Sequence, residues 1–386
     1  MLDAQDWTFP VPIAYGPGRL LEIGDLCIQA GMTRPLIVTD RGSRDLPFGK
    51  DITRFLQLSG LTSDLFSEIS PNPRGDEIAA GRAMYLRGKH DGIIGIGGGS
   101  GMDGAKAIGL VAANDLDLWA FNYDKPSPDM SDQAAFPPLI CVPTTAGTGA
   151  ETESTAMITD TALMMKWCVW HPDLKPAAAL LDPEITLRLP ATLTAWTGVD
   201  AMVHAIEAYS VPSFHPLCDG IALEALRLTS SWLPAVVSEP DNIEARGGML
   251  VGSCLAGVSF LKGLGLVHAI SHMVGASYDT HHGLTNAVLL PAVLRFNEPV
   301  LTDKVPQMAR AMAMDDRSFA GFYGAICKLL DDLDIPKTLA AIGVPDDCAA
   351  AMAEKAQHDA AASTNPRPST PADIEAIIDD ALVTGR

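Results

Sequence analysis

What the chain has little of narrows its function first. Basic residues are scarce: Lys and Arg number 27 against 47 Asp and Glu, leaving a formal net charge of −20 over 386 residues. Such a surface repels phosphate backbones and anionic lipid heads, so neither nucleic acid nor membrane is an expected partner. Long apolar runs are missing as well. The longest, residues 249–261, is interrupted by Gly and Ser, stops at Lys262 and falls short of a bilayer span. The opening MLDAQDWTFP has no basic segment followed by an apolar run, so no secretory signal and a cytoplasmic location are expected. There is no CxxC pair among the seven cysteines (27, 141, 168, 218, 254, 327 and 348); their scatter and odd total point to reduced, mostly buried thiols. Neither an internal repeat nor a low-complexity tract is visible.

What is present suits a folded, globular chain. Hydrophobic residues make up 47% and charged residues 19%, too apolar for intrinsic disorder. The length exceeds what one hydrophobic core usually supports, so two domains are expected. The first half alternates short β-rich runs with amphipathic segments, the signature of βαβ units and a mostly parallel sheet. Residues 35–40 (PLIVTD), 92–96 (GIIGI) and 138–142 (PLICV) read as strands, and residues 76–89 carry apolar positions at helical spacing. From about Pro183 the pattern changes to long helical periods with capping Thr or Asp before apolar stretches. This places a domain boundary there, between an α/β domain over 1–183 and a helix-rich domain over 184–386. A capped terminal helix is expected in PRPSTPADIEAIIDDAL, after a Pro-rich loop.

Two constellations carry chemistry. In IIGIGGGSGMDGAKAIG an apolar strand runs into Gly97, Gly98, Gly99 and Ser100 and then into a helix. Glycines let backbone amides approach a phosphate, and the helix N-terminus adds unpaired N–H groups and a positive dipole end, so pyrophosphate fits there. The acidic residue that a simple Rossmann fingerprint wants about 20 residues later is missing, since Asp115 and Asp117 close no β-rich run. Asp40 does close one, at the end of PLIVTD, and could accept bonds from ribose hydroxyls; a different nucleotide fold follows. Thr144, Thr145 and Thr148 in PTTAGTGAETES offer hydroxyls after a further strand.

The second constellation is a set of metal-ligand types. Asp200 and His204 stand at i and i+4 in GVDAMVHAIEAY, His268 and His272 repeat the spacing in LGLVHAISHMVG, and His282 follows in DTHHGLTN. On helices such pairs share a face, and one carboxylate with three imidazoles makes a shell for a divalent transition ion. Burying these imidazoles without partners would cost several kcal/mol, which a metal removes.

These residues resemble the iron-containing (group III) alcohol dehydrogenases over nearly the whole chain. GGGSGMDGAKAIG, PTTAGTGAETES, LLDPEITLRLP, TGVDAMVHAIEAYS and GLGLVHAISHMVGASYDTHHGLTNAVLLPAVLRFN look like that family's signatures, in order. The resemblance implies an architecture like dehydroquinate synthase, with an α/β nucleotide-binding domain over 1–183 and an all-helical metal-binding domain over 184–386, an active site in the cleft between the domains, and hydride transfer between NAD(H) and a small primary alcohol or aldehyde. It implies metal ligation by Asp200, His204, His268 and His282, with Fe2+ as the ion and Zn2+ as its competitor. His272 matches a histidine proposed as proton relay, and an imidazole suits proton exchange near neutrality. Asp40, Asn72, Gly98, Gly99, Ser100, Thr144, Thr145, Thr148 and Lys166 match cofactor-contacting positions. Asp40 favours NAD over NADP, with Arg41 beside it pulling the other way.

Departures are Gly101 where a Pro is common, from which a more mobile loop is expected, and Trp167 and Cys168 after the lysine. Two adjacent histidines, His281 and His282, compete for one ligand position; His282 is chosen because it precedes Gly283, leaving His281 as a polar surface or supporting residue. Lys262, six residues before His268, is read either as a solvated lysine or as a partner for an acidic group on the substrate. A homodimer or larger homo-oligomer is expected. The competing functions are a dehydroquinate synthase-like lyase, disfavoured by few basic residues between Asp200 and Asn297, a metal-independent maleylacetate-type reductase, disfavoured by the filled ligand positions, and a non-catalytic assembly subunit.

Overall fold

The computed structural model describes residues 11–386; the opening segment, with the expectation about a leader, lies outside the described residues. Two compact units emerge, residues 11–145 with 149–188, and residues 146–148 with 189–386. The chain leaves the first unit at Arg188, a little beyond the expected 183/184 step. Asp182 ties that segment back, its carboxylate accepting from the Gly18 and Leu20 amides at 3.0 and 2.9 Å.

The first unit holds strands β1 (Ile13–Tyr15), β2 (Pro35–Asp40), β3 (Asp64–Ile69), β4 (Gly92–Gly97), β5 (Leu139–Pro143), β6 (Thr155–Asp160), β7 (Met165–Trp170) and β8 (Ala178–Leu181). Six of them form a parallel sheet in the order β1-β8-β5-β4-β2-β3, and β6 pairs with β7 as an antiparallel ribbon. Its helices are α1 (Ile23–Gln29), α2 (Pro47–Leu58), α3 (Gly75–Gly88) and α4 (Gly99–Ala112). Central β4 is buried on both faces. Ile93 joins the core beneath α3 and α4, while Ile94 and Ile96 join the core with Ile23, Ile52 and Leu56 of α1 and α2. That two-sided burial is why GIIGIG reads as a continuous apolar run rather than an alternation.

Chain direction across the sheet reverses between β2 and β4: β2 leads outward to β3, and β4 leads the other way to β5. In open α/β sheets ligands bind at the carboxyl ends of strands beside such a switch point. Asp40 and Gly97 are the carboxyl ends of these two strands.

The second unit is helical throughout its described residues: α5 (Ala191–Ser210), α6 (Pro216–Ser238), α7 (Ile243–Ser259), α8 (Leu266–Tyr278), α9 (His282–Asn297), α10 (Val305–Ala311), α11 (Phe319–Asp332), α12 (Ala349–Ala356) and α13 (Pro371–Val383). α5 is the central post, buried at every residue from Val199 to Ser210 and packed by α6, α7 and α9. Small residues allow this: a Cβ on Gly198 would sit 2.3 Å from Leu233. The expected capped terminal helix is α13, where Thr370 and Asp373 exchange bonds in a capping box. Among the described residues no single helix is long and apolar enough to cross a membrane, and no disulfide joins any of the seven cysteines.

Candidate metal and cofactor sites

Three helices of the second unit bring Asp200, His204, His268 and His282 together, with one ligand-type atom of each within 4.8 Å of the others. Asp200 and His204 lie one turn apart on α5, His268 is in the first turn of α8, and His282 opens α9. Glycine sets the approach of α9. A Cβ on Gly283 would lie 2.6 Å from the Trp196 carbonyl oxygen and 3.1 Å from Asp200 Cβ, so only glycine lets α9 start against α5 here. His282 therefore reaches the cluster. His281 instead caps α9, its Nδ1 accepting from the Leu284 amide at 3.4 Å, with its ring against Trp196.

Glu207 lies on the same face of α5, one further turn along, and was not among the residues expected from spacing. Its Oε2 stands 2.6 Å from His268 Nδ1, and its carboxylate also accepts from the Gly265 and Val267 amides at 3.0 and 2.8 Å, at the start of α8. A Cβ on Gly265 would come within 2.7 Å of Glu207 Oε1, so glycine is again the condition for the contact. The carboxylate takes the Nδ1 proton of His268 and leaves its Nε2 lone pair for the cluster, the arrangement that outer partners impose on metal-bound imidazoles. Burial works against a charge on His268, but Glu207, Asp200 and Asp359 outweigh it and move its pKa up, so that a proton and a cation compete for its Nε2. At His204 burial wins: its pKa falls to about 3 despite Asp200, so this imidazole is neutral and competent as a ligand.

Asn286, one turn after His282 and fully buried, was also missed, although i+4 spacing from His282 could have found it. Its Nδ2 lies 2.6 Å from Asp200 Oδ1, 3.1 Å from His268 Nε2 and 3.0 Å from His282 Nε2. An amide has two N–H donors, too few for three acceptors. Asn286 Oδ1 and His204 Nδ1 are buried without a hydrogen-bond partner among the described residues. Lone pairs thus converge on one point with too few protons to satisfy them, and a divalent cation fits that donor set.

His272 sits beside the cluster, its ring stacked on that of His282 at 5.4 Å between centroids. Its Nδ1 is 2.9 Å from Asp359 Oδ2, and both side chains are buried. Nothing in spacing announces Asp359, which follows α12 and comes from 87 residues away. Lys262 corrects the solvated reading. Its side chain is fully buried and its Nζ pairs with Asp219 at 2.5 Å, with Lys304 a further 3.9 Å from the same carboxylate. It is not solvated, and it shares the Asp219 carboxylate with Lys304.

In the first unit most of the expected cofactor residues are linked. Gly97, at φ +148°, ends β4, and a Cβ there would lie 2.8 Å from Asp40 Oδ2. Gly98 is the N-cap of α4, and Gly99 and Ser100 begin the helix. Gly101 lies inside that first turn, and a Cβ on it would meet the Asp40 amide at 3.2 Å. Asp40 closes its own turn, accepting from the Ser43 amide and hydroxyl at 2.9 and 2.8 Å. The Thr144 amide donates to Gly97 O at 2.9 Å, and Thr145 faces Gly98. Ser100 Oγ donates to Pro71 O, and Lys166 on β7 donates to Asn72 Oδ1 at 3.2 Å. Thr148 stands apart: residues 146–148 cluster with the helical unit, where Gly147 packs on Thr197. Behind the glycine turn, fully buried Lys106 donates to Thr155 O at 2.8 Å and lies 3.7 Å from Asp103, while burial pushes Glu153 up to about 7.

The chain is similar to known proteins over nearly its whole length. The profile described as iron-containing alcohol dehydrogenase matches residues 10–183, and that of the Fe-containing alcohol dehydrogenase family, C-terminal, matches residues 194–382. The NAD-dependent methanol dehydrogenase of Bacillus methanolicus is 34% identical, with 98% of this chain and 100% of that one covered. The 4-hydroxybutyrate dehydrogenase of Cupriavidus necator is 35% identical, with 92% of this chain and 94% of that one covered. A crystal structure of a 1,3-propanediol oxidoreductase superimposes with a TM-score of 0.92 at 33% identity, covering 98% of this chain and all of that one.

Proposed function

The chain belongs to the iron-containing alcohol dehydrogenase family, and from that premise we propose that it is a metal-dependent, NAD-dependent alcohol dehydrogenase and aldehyde reductase. The observation that carries this reading is the convergence of one carboxylate and three imidazoles on a point with too few protons to satisfy them. Relatives named for methanol, 1,3-propanediol and 4-hydroxybutyrate support small primary alcohols and their aldehydes as substrates. With Lys262 committed to Asp219, the reading requires no acidic group on the substrate.

Asp200, His204, His268 and His282 would hold the ion, ferrous iron by kinship and zinc as the alternative. When bound, such an ion polarises the substrate oxygen, and NAD supplies the hydride acceptor at its nicotinamide. Glu207 holds the Nδ1 proton of His268, keeping Nε2 aimed at the cluster. Asp359 does the same for His272, so that Nε2 of His272 is left to receive the alcohol proton, directly or through a water, and pass it to solvent. Gly98 and Gly99 at the N-terminus of α4 would receive the pyrophosphate, with the Ser100, Thr144, Thr145 and Thr148 hydroxyls, Asn72 and Lys166 as further contacts. Asp40 would accept the adenosine ribose hydroxyls, which favours NAD.

The test is a panel of small alcohols and aldehydes followed by NADH absorbance, with protein stripped by chelator and reloaded with Fe2+ or Zn2+ alone. Turnover should vanish on stripping and return with one ion. Full activity of the stripped protein, or no turnover on any substrate by protein shown to hold metal and NADH, would refute the reading.

A further inference from the structure

Arg41 directly follows Asp40, so by sequence it is the guanidinium best placed to receive a 2′-phosphate on the adenosine ribose. The structure holds it elsewhere. Its Nη2 lies 3.2 Å from Glu77 Oε1 and its Nε 3.6 Å from Glu68 Oε2. Glu77 is a carboxylate of unusual standing on this surface. Its side chain is only 3% exposed, and Arg74 Nη2 meets the same Oε1 at 3.2 Å. Its Oε2 accepts from the Ser70 amide, the Ser70 hydroxyl and the Arg74 amide at 3.1, 2.9 and 3.1 Å. Glu77 therefore ties Arg41 to the 70–74 turn that carries Asn72.

The two carboxylates on Arg41 differ in strength for a physical reason. Glu68 is 56% exposed, and an ion pair at that exposure holds little. Glu77 is buried, and giving up one of its two guanidinium partners would leave a desolvated charge half-matched, which costs far more. Pulling Arg41 toward a phosphate works against that cost.

We propose that Glu77 is a specificity-determining residue for the cofactor: it withholds Arg41 from the ribose 2′ position, so that Asp40 is the charge an incoming 2′-phosphate meets and NAD is selected over NADP. The inference rests on the dehydrogenase reading above. Selection then has two parts, repulsion by Asp40 and withdrawal of the cation that would offset it.

The experiment measures Kd for NADH and NADPH by fluorescence, and kcat/KM for NAD and NADP, on metal-loaded protein. Asp40→Ser should improve NADPH binding by removing repulsion. Adding Glu77→Gln should improve it about tenfold further, the scale of one charge-assisted hydrogen bond, and adding Arg41→Met to that pair should erase the further gain. Because Glu77 also anchors the 70–74 turn, folding of its variants is checked by circular dichroism. A second arm does not depend on Glu77 variants: in the Asp40→Ser background alone, Arg41→Met should leave the NADPH Kd unchanged, since the guanidinium is already withheld. The proposal is overturned if folded Asp40→Ser/Glu77→Gln gains nothing over Asp40→Ser, if the gain survives Arg41→Met, or if Arg41→Met weakens NADPH binding in the Asp40→Ser background. Wild-type protein that binds neither NADH nor NADPH would instead bring down the dehydrogenase reading, and this inference with it.

Discussion

In the helical unit the candidate metal cluster is made of side chains, each placed by the register of a buried helix, whereas in the α/β unit the proposed cofactor cradle is made largely of backbone at strand ends. Asp200, His204 and Glu207 are successive turns of one face of α5, and two glycines, Gly265 and Gly283, let α8 and α9 close on them. The cradle depends on glycines too, but for a different purpose: Gly97 and Gly101 bring the turn before α4 against Asp40, and the groups left to bind are amides and small hydroxyls. Glycine in the first case brings side chains together, and in the second clears backbone for a ligand. A side-chain site fails when one side chain is lost; a backbone site fails when its conformation is lost.

The largest effect should separate the two. Asp200→Ala is expected to empty the metal site and lower activity by more than the roughly 10- to 100-fold typical of losing an outer partner, while NADH binding persists; Gly97→Ala should do the converse, since its φ of +148° and the 2.8 Å approach to Asp40 leave no room for a Cβ. Metal content and NADH titration of each variant check this, and loss of both by either variant would break the separation. Glu207→Gln comes next. It should weaken metal affinity about 10- to 100-fold, read by competition with a chromophoric chelator, whereas an unchanged affinity would show that α8 alone orients His268.

Lys262→Met should cost stability, about 1–2 kcal/mol in a denaturant titration, and change kcat/KM equally for anionic and neutral substrates. The loss stays below the roughly 3–5 kcal/mol of a fully buried pair because Asp219 is 27% exposed and Lys304 remains near it. A selective loss on acidic aldehydes would restore the anion-binding reading. The test least tied to either site lies in the α/β unit. Burial raises Glu153 from its ordinary 4.5 to about 7, so the folded state binds this proton more tightly than the unfolded one. Its contribution to stability is therefore complete below about pH 4.5 and is lost as pH rises toward 7. Glu153→Gln should flatten that part of the stability profile, measured as denaturant midpoints across the window.

Legibility in the sequence followed range. The strands ending at Asp40, Gly97 and Pro143, the helix over α3 and the capped α13 carried local signals of pattern, turn residue or cap. The strands β1 and β8 did not, being short and at or near the sheet edge, nor did the β6–β7 ribbon that carries Lys166. Among site residues, Asp200 with His204 and His268 with His272 were visible as helical pairs. Glu207 continues the face of Asp200 and His204, and Asn286 lies one turn after His282 on α9; both could have been read from spacing, had residues that hold a ligand been sought beside those that bind an ion. Asp359 could not, because its partner His272 is brought to it only by folding.

By itself the sequence determined where the two candidate sites lie, since helical spacing of ligand-type residues and glycines at a strand-to-helix junction are local and survive without any knowledge of neighbours. Tertiary structure alone decided the rest. It chose His282 over His281 through the clearance at Gly283, fixed the His268 tautomer through Glu207, buried Lys262 against Asp219 and turned Arg41 toward Glu77. Each of these depends on a charge or a volume supplied from another element, a dependence that periodicity within one segment cannot encode.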